Sequence, residues 1–244
     1  MIRFILVALF LVAFLIITIP LDIILYFVGR KNRDKQIAIC RSIVHWAFSF
    51  ILKIAGADVT AEGQENIPDG PVLFMGNHQS YFDILTTYVK IPGGVGYVSK
   101  KEMDNFPLLN LWMRGINCLF LDRDNIRQGL KTILKGVDEL KNGHSMFIFP
   151  EGTRNQGEEM LPFKEGSTKM AEKAKAPIVP VAILGTAGLF ENNKGLRITP
   201  AKVHITFGAP IIISDLAKED KKFLGAYTQG IIKEMREKAK ETIA

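Results

Sequence analysis

The chain has 244 residues, 48% of them hydrophobic, enough for one full-sized core with a modest appendage and too little for two independent enzymatic domains. Two cysteines, Cys40 and Cys118, with no C-x-x-C or Cys/His cluster, argue against a disulfide framework and against a zinc site. A net charge of +6 points to an anionic partner, so nucleic acid, phospholipid headgroups and acidic substrates must be separated by where the charge sits.

From Phe4 to Val28 only Thr18, Pro20 and Asp22 are clearly polar or helix-breaking, and Phe4 to Ile17 is apolar without a break. Such a run approaches the roughly 20 residues needed to cross a bilayer. Hydrophobicity resumes after Pro20 and no small-x-small site follows, so a cleaved signal peptide is not expected. An unpaired carboxylate is costly at membrane depth, and Asp22 interrupts the run. A true span and a helical pair embedded in one leaflet are therefore both open.

The run R-K-N-R-D-K leads into Ile37 to Ala55, where Arg41, Ser42, His45, Ser49 and Lys53 share one helical sector opposite Ile39, Ile43, Trp46, Phe50 and Ile54. A helix of this kind suits a membrane interface, or else packs on a soluble core. Gly56 fits its C-terminal cap. Between Arg30 and Lys53 lie six Lys/Arg and one acidic residue, so the positive-inside tendency puts everything downstream on the cytoplasmic face, at the plasma membrane if the source is a bacterium. The expected organisation is residues 1–56 as membrane-anchoring helices and 57–244 as one catalytic domain.

Beyond Asp58, short β-type runs (D-V-T-A-E, P-V-L-F-M, G-V-G-Y-V-S, N-C-L-F-L, S-M-F-I-F, I-V-P-V-A-I-L, K-V-H-I-T-F) alternate with helical stretches at Asp83–Val89, Ile126–Lys141 and Gly166–Lys175. Runs apolar along their whole length predict strands buried on both faces, hence an α/β fold with a largely parallel or mixed sheet flanked by helices. The last stretch, from Lys221 to Ile243, reads as an amphipathic surface helix.

Four strand ends carry chemistry. In N-H-Q-S-Y-F-D, His78 follows a strand and Asp83 lies five positions on, spaced so that the carboxylate accepts one ring N–H and leaves the other nitrogen as a base. Ser80 and Asp83 also match a helix-capping box, which is the competing reading. In F-P-E-G-T-R-N, Glu151, Gly152, Thr153 and Arg154 gather at a strand exit, where a guanidinium fork suits a phosphate; taken alone, this stretch is a turn. Lys100 and Lys101 follow G-Y-V-S, and Arg123 follows L-F-L-D, where an ion pair with Asp122 or Asp124 is the simpler role. Four such ends together look like one site.

The order N-H-Q-S-Y-F-D, L-F-L-D-R, F-P-E-G-T-R-N, V-P-V-A-I over Asn77 to Ile183 resembles the four motifs of the glycerophospholipid acyltransferases, in particular those acting on 1-acylglycerol 3-phosphate. The resemblance implies that His78 is the general base and Asp83 its orienting partner, that Arg123, Glu151, Gly152, Thr153 and Arg154 shape a glycerol-phosphate site, and that Pro180 lies near the acyl donor. Lys100 and Lys101 are counted with the substrate-binding cations. It implies no metal and no cofactor, with acyl-CoA or acyl-carrier protein as donor, lysophosphatidic acid as acceptor and the bilayer as partner. One departure stands out: many members carry glycine six residues before the arginine of the second motif, where this chain has Asn117.

The expected reaction is direct transfer to the acceptor hydroxyl, since no G-x-S-x-G elbow supplies a serine nucleophile. Acylation of glycerol 3-phosphate or another lysolipid, thioester hydrolysis, and non-enzymatic binding through the basic surface are the alternatives. Nucleic acid is not expected, because the densest basic run adjoins apolar helices without interleaved stacking aromatics.

Overall fold

The computed structural model describes residues 1–155, 157 and 159–243; Gln156, Glu158 and Ala244 of the expected 57–244 segment lie outside the described residues. The single apolar run read from the sequence is two helices, α1 (Ile2–Ile17) and α2 (Ile19–Lys31), bent by 54° at Thr18. The bend has a local cause. Thr18 turns its hydroxyl back onto the Phe14 carbonyl (2.8 Å), and Pro20 occupies the first turn of α2, where its missing N–H costs nothing.

Helix α3 (Arg33–Ala55) starts at Asn32, whose side chain accepts from the Lys35 N–H (2.9 Å), and stops at Gly56, which takes the left-handed conformation at φ 76°. By length and composition α3 could cross a membrane, and so could α1 and α2 taken together. Yet α3 buries Ile37, Cys40, Val44, Ala47, Ile51 and Ala55, a stripe at three- and four-residue spacing that packs on the rest of the chain. Core packing thus wins on that face. On the other side, Trp46 and Phe50 stay exposed beside Phe10 of α1. Helix α1 turns Phe4, Val7, Phe10 and Phe14 inward and leaves Ile5, Leu9, Val12 and Ile16 as an exposed apolar stripe.

The remaining elements run β1 (Ala57–Glu62), β2 (Leu73–Gly76), α4 (Phe82–Lys90), β3 (Gly96–Lys100), α5 (Leu109–Gly115), β4 (Leu119–Leu121) and α6 (Ile126–Lys141). They continue with β5 (Met146–Ile148), α7 (Lys169–Ala174), β6 (Ile178–Leu184), β7 (Ala201–Phe207), α8 (Lys218–Lys222) and α9 (Leu224–Ile243). Each of the seven β-type runs became a strand. They form one sheet in the order β1-β7-β6-β2-β5-β3-β4, in which β6, β2, β5, β3 and β4 are mutually parallel and β7 and β1 run the other way. The central strands β2 and β5 are buried at every position, as their unbroken apolar sequences require, whereas β1 at the sheet edge alternates.

One sheet face packs Phe74, Tyr97 and Phe147 against Tyr88 of α4, Trp112 of α5 and the inner stripe of α3. The other packs Met75 and Met146 against Leu140 of α6, Met170 of α7 and Ile232 of α9. Helices on both faces leave one edge clear: the C-terminal ends of the five parallel strands, where an open α/β sheet receives ligands.

At the departure from the family pattern, Asn117 sits at φ 66°, in the left-handed region that glycine enters freely and asparagine tolerates best among other residues. Its buried amide is held by Arg33 and by Glu139 (2.9 Å each), so the loop keeps the glycine-like backbone without glycine.

Candidate functional site

The turn between β2 and α4 is organised by one carboxylate. Asp83 Oδ2 accepts from His78 Nδ1 (2.8 Å) and from the backbone N–H groups of Gln79 (2.7 Å) and Ser80 (2.8 Å). Its Oδ1 accepts from the hydroxyl of Thr186 (2.5 Å). Asp83 is fully buried, a position costly for a lone carboxylate and tolerable with four donors. Bonding to Nδ1 assigns the proton of a neutral His78 ring to that nitrogen and leaves the Nε2 lone pair available. Ser80 Oγ accepts from the Phe82 N–H (2.9 Å) and the Asp83 N–H donates to the Ser80 carbonyl (3.3 Å), so of the capping exchange only the half in which Asp83 receives the Ser80 N–H is made, by the same oxygen that holds His78.

His78 is fixed in every other direction by the loop after β5. Its ring stacks on Phe149 with centroids 4.0 Å apart. The backbone N–H of His78 donates to Glu151 Oε1 (2.7 Å), and its backbone carbonyl accepts from the Asn155 N–H (2.7 Å). The second oxygen of Glu151 accepts from the Leu161 N–H (2.9 Å). Burial pushes the Glu151 carboxyl above its ordinary range, while the His78 and Leu161 N–H groups pull it back. Gly152 makes the turn possible: its φ is 75°, and a Cβ there would meet the Lys164 amine at 2.9 Å. Thr153 is exposed beside it.

Arg154 is held on two sides. One terminal nitrogen donates to Glu191 (3.1 Å), and its guanidinium carbon lies 3.5 Å from the centroid of the Tyr81 ring. The same Glu191 oxygen accepts from the Tyr81 N–H (2.9 Å). Thus β6, β2 and β5, adjacent in the sheet, bring together Thr186 and Glu191, His78 and Asp83, and Glu151 and Arg154.

The other expected residues lie further off. Lys100 ends β3, two strands from β2, and Arg123 follows β4, three strands away, or about 10 and 14 Å at ordinary strand spacing. Lys101 is paired with Asp122 (2.7 Å) on an exposed surface. Pro180 is buried inside β6 opposite Met75, its carbonyl accepting from the Gly208 N–H (2.9 Å). Sequence reading missed Thr186, Glu191 and Arg236. The last comes from α9 and lines a small polar pocket with His78, Gln79, Glu151 and Asn155. None of the three belongs to a spaced motif, and only their position after folding marks them.

Among the described residues no three His, Cys, Asp or Glu side chains converge as a metal-binding group. Burial pushes the Cys118 thiol up to about 12, which leaves it no thiolate character near neutral pH.

The family model described as Acyltransferase matches residues 58–184, the segment that carries all four strand ends. The crystal structure of the 1-acyl-sn-glycerophosphate acyltransferase of Thermotoga maritima is similar over 98% of this chain and 97% of that one, with a TM-score of 0.75 and 28% identity. The 1-acyl-sn-glycerol-3-phosphate acyltransferase of Saccharomyces cerevisiae is 31% identical over 198 residues, 80% of this chain and 64% of the yeast protein. A probable 1-acyl-sn-glycerol-3-phosphate acyltransferase of Mycoplasma pneumoniae is 31% identical over 179 residues, 69% of this chain and 67% of that protein. The matched region thus spans about two thirds of the length of these curated relatives.

Proposed function

Because the chain belongs to the acyltransferase family, we propose that it moves a fatty acyl group from a thioester to the sn-2 hydroxyl of 1-acylglycerol 3-phosphate and so forms phosphatidic acid for phospholipid synthesis. The observation that carries this reading is the His78–Asp83 contact at the C-terminal edge of the sheet, with no hydrogen bond to Nε2 among the described residues. A base at that place suits an acceptor hydroxyl that loses its proton as it attacks, and Arg154 offers an anion-binding fork on the neighbouring loop.

In this mechanism Nε2 of His78 takes the hydroxyl proton as the oxygen forms its bond to the thioester carbonyl carbon. Asp83 stabilises the imidazolium against its Nδ1. Collapse of the tetrahedral intermediate breaks the carbon–sulfur bond, and the departing thiolate takes the proton from His78, giving ester and free thiol. Glu151 and Gly152 shape the site by holding the loop and the His78 backbone, and Arg154, with Thr153 beside it, binds the acceptor phosphate. Lys100, Lys101 and Arg123 act further along the edge on the same anionic lipid or on the surrounding headgroups, and Pro180, inside β6, lies near the acyl donor. Acyl-CoA or acyl-carrier protein supplies the thioester. The apolar helices of residues 1–56 anchor the enzyme, with the catalytic segment 57–244 on the cytoplasmic face.

Purified protein supplied with lysophosphatidic acid and a labelled acyl thioester should yield labelled phosphatidic acid. Glycerol 3-phosphate and a phosphate-free lysolipid should react poorly. Release of free acid without acceptor, or preference for a phosphate-free acceptor, would overturn the proposal.

A further inference from the structure

The site contains a buried carboxylate that the mechanism above does not use. Glu191 lies beyond the end of β6, outside the segment matched by the family model, and its side chain is 3% exposed. Its Oε1 receives both the Arg154 guanidinium (3.1 Å) and the Tyr81 N–H (2.9 Å), and its Oε2 is buried with no hydrogen-bond partner among the described residues. Tyr81 closes the other side, its ring 3.5 Å below the guanidinium carbon. A buried carboxylate with a spare oxygen is expensive, and a carboxylate beside a phosphate-reading arginine offsets part of that arginine's charge. Neither cost is recovered as stability, since a buried ion pair seldom contributes more than its desolvation costs.

We infer that Glu191, with the face of Tyr81, is a positioning residue that orients Arg154 before the acceptor arrives, so that the guanidinium donors not taken by Glu191 are presented as a fixed fork to a phosphate monoester. The inference rests on the acceptor being a phosphate-bearing lysolipid, as proposed above. Arginine has five N–H donors in one plane. Glu191 takes one terminal nitrogen and Tyr81 covers one face, while the side chain stays 31% exposed and so keeps its remaining donors within reach of the ligand. Ordering a long side chain in advance removes that cost from binding, which is the usual source of affinity in a pre-organised site.

The test is a mutant cycle with lysophosphatidic acid, a matched phosphate-free acceptor and the acyl thioester. Glu191→Ala should raise the KM for lysophosphatidic acid about three- to tenfold, the range expected when one rotamer-rich side chain is ordered at binding instead of before it. The kcat and the KM for the thioester should change less than about twofold, because a positioning role for the ground-state contact appears in KM. Glu191→Gln, which keeps an acceptor for the Tyr81 N–H, should lose less. In an Arg154→Ala background, neither Glu191 substitution should add a further loss, since Glu191 acts through Arg154. Equal losses with and without Arg154, or equal losses on the phosphate-free acceptor, would overturn the inference. If Glu191→Ala fails to fold by thermal denaturation, the same cycle with Glu191→Gln decides. A wild-type protein that does not acylate lysophosphatidic acid refutes the activity itself, whereas an active wild type with additive losses refutes only the role of Glu191.

Discussion

Glu151→Gln separates two roles for a residue at the centre of the site. Both carboxylate oxygens accept backbone N–H groups, from His78 at 2.7 Å and Leu161 at 2.9 Å, and the residue is 4% exposed. A glutamine amide has one acceptor oxygen, so its NH2 must face the other N–H, donor against donor. The loss is one hydrogen bond to a charged group, about 1.5–3 kcal/mol, plus a buried unsatisfied donor, about 1–3 kcal/mol. Burial already holds this carboxyl above its ordinary range, so removing the charge returns part of that cost and leaves a net loss of about 2–4 kcal/mol. For a chain of this length ~1 kcal/mol shifts the melting midpoint by about 2–4 °C, so the midpoint should fall by about 5–15 °C. Because His78 loses the anchor of its backbone, kcat should fall about tenfold or more with little change in acceptor KM. Thermal denaturation in detergent and steady-state kinetics on the same preparation measure both. An unchanged midpoint with a raised acceptor KM would mean that Glu151 touches the substrate and does not hold the loop.

Asp83→Asn should lower kcat by about two to four orders of magnitude, since an amide cannot stabilise the imidazolium; a loss of thermal stability alone would reduce Asp83 to a helix cap. Thr186→Val removes only the Oδ1 donor and should cost about 1.5–3 kcal/mol of stability with a smaller loss of kcat, and unchanged stability would deny the 2.5 Å contact its role. Arg154→Ala should raise the acceptor KM more than the thioester KM, with Arg154→Lys recovering charge but not the fork; equal loss of kcat/KM on lysophosphatidic acid and a phosphate-free acceptor would contradict headgroup recognition. Leu9→Asp with Val12→Asp on the exposed stripe of α1 should abolish co-sedimentation with anionic vesicles while the melting midpoint holds, and retained binding would move the anchor elsewhere.

Much of this architecture is legible in the sequence because its signals are local. The unbroken apolar runs P-V-L-F-M and I-V-P-V-A-I-L read as strands buried on both faces, and His78 and Asp83 are five residues apart on one turn. The interruption of the first run is legible at Pro20 and Asp22, but its place at Thr18 is less visible, since a threonine inside an apolar run is ordinarily tolerated in a helix and the bend depends on its hydroxyl turning back. Helix α5 escaped notice because seven residues give too short a period to read. The partners Thr186, Glu191 and Arg236 were invisible for a different reason. Each is a single polar residue whose meaning comes from lying beside β2 and β5 after the chain has returned, and no spacing along the sequence records that.

The most direct measurement is the rate of phosphatidic acid formation from lysophosphatidic acid and a labelled acyl thioester by His78→Ala, compared with wild type at matched folded protein. Without the nitrogen proposed to accept the hydroxyl proton, transfer should fall to background while the protein still folds and binds vesicles, its stability lowered only by the lost Asp83 contact, about 1.5–3 kcal/mol. Near-normal turnover by the folded variant would contradict the assignment of His78 as the base, and with it the site.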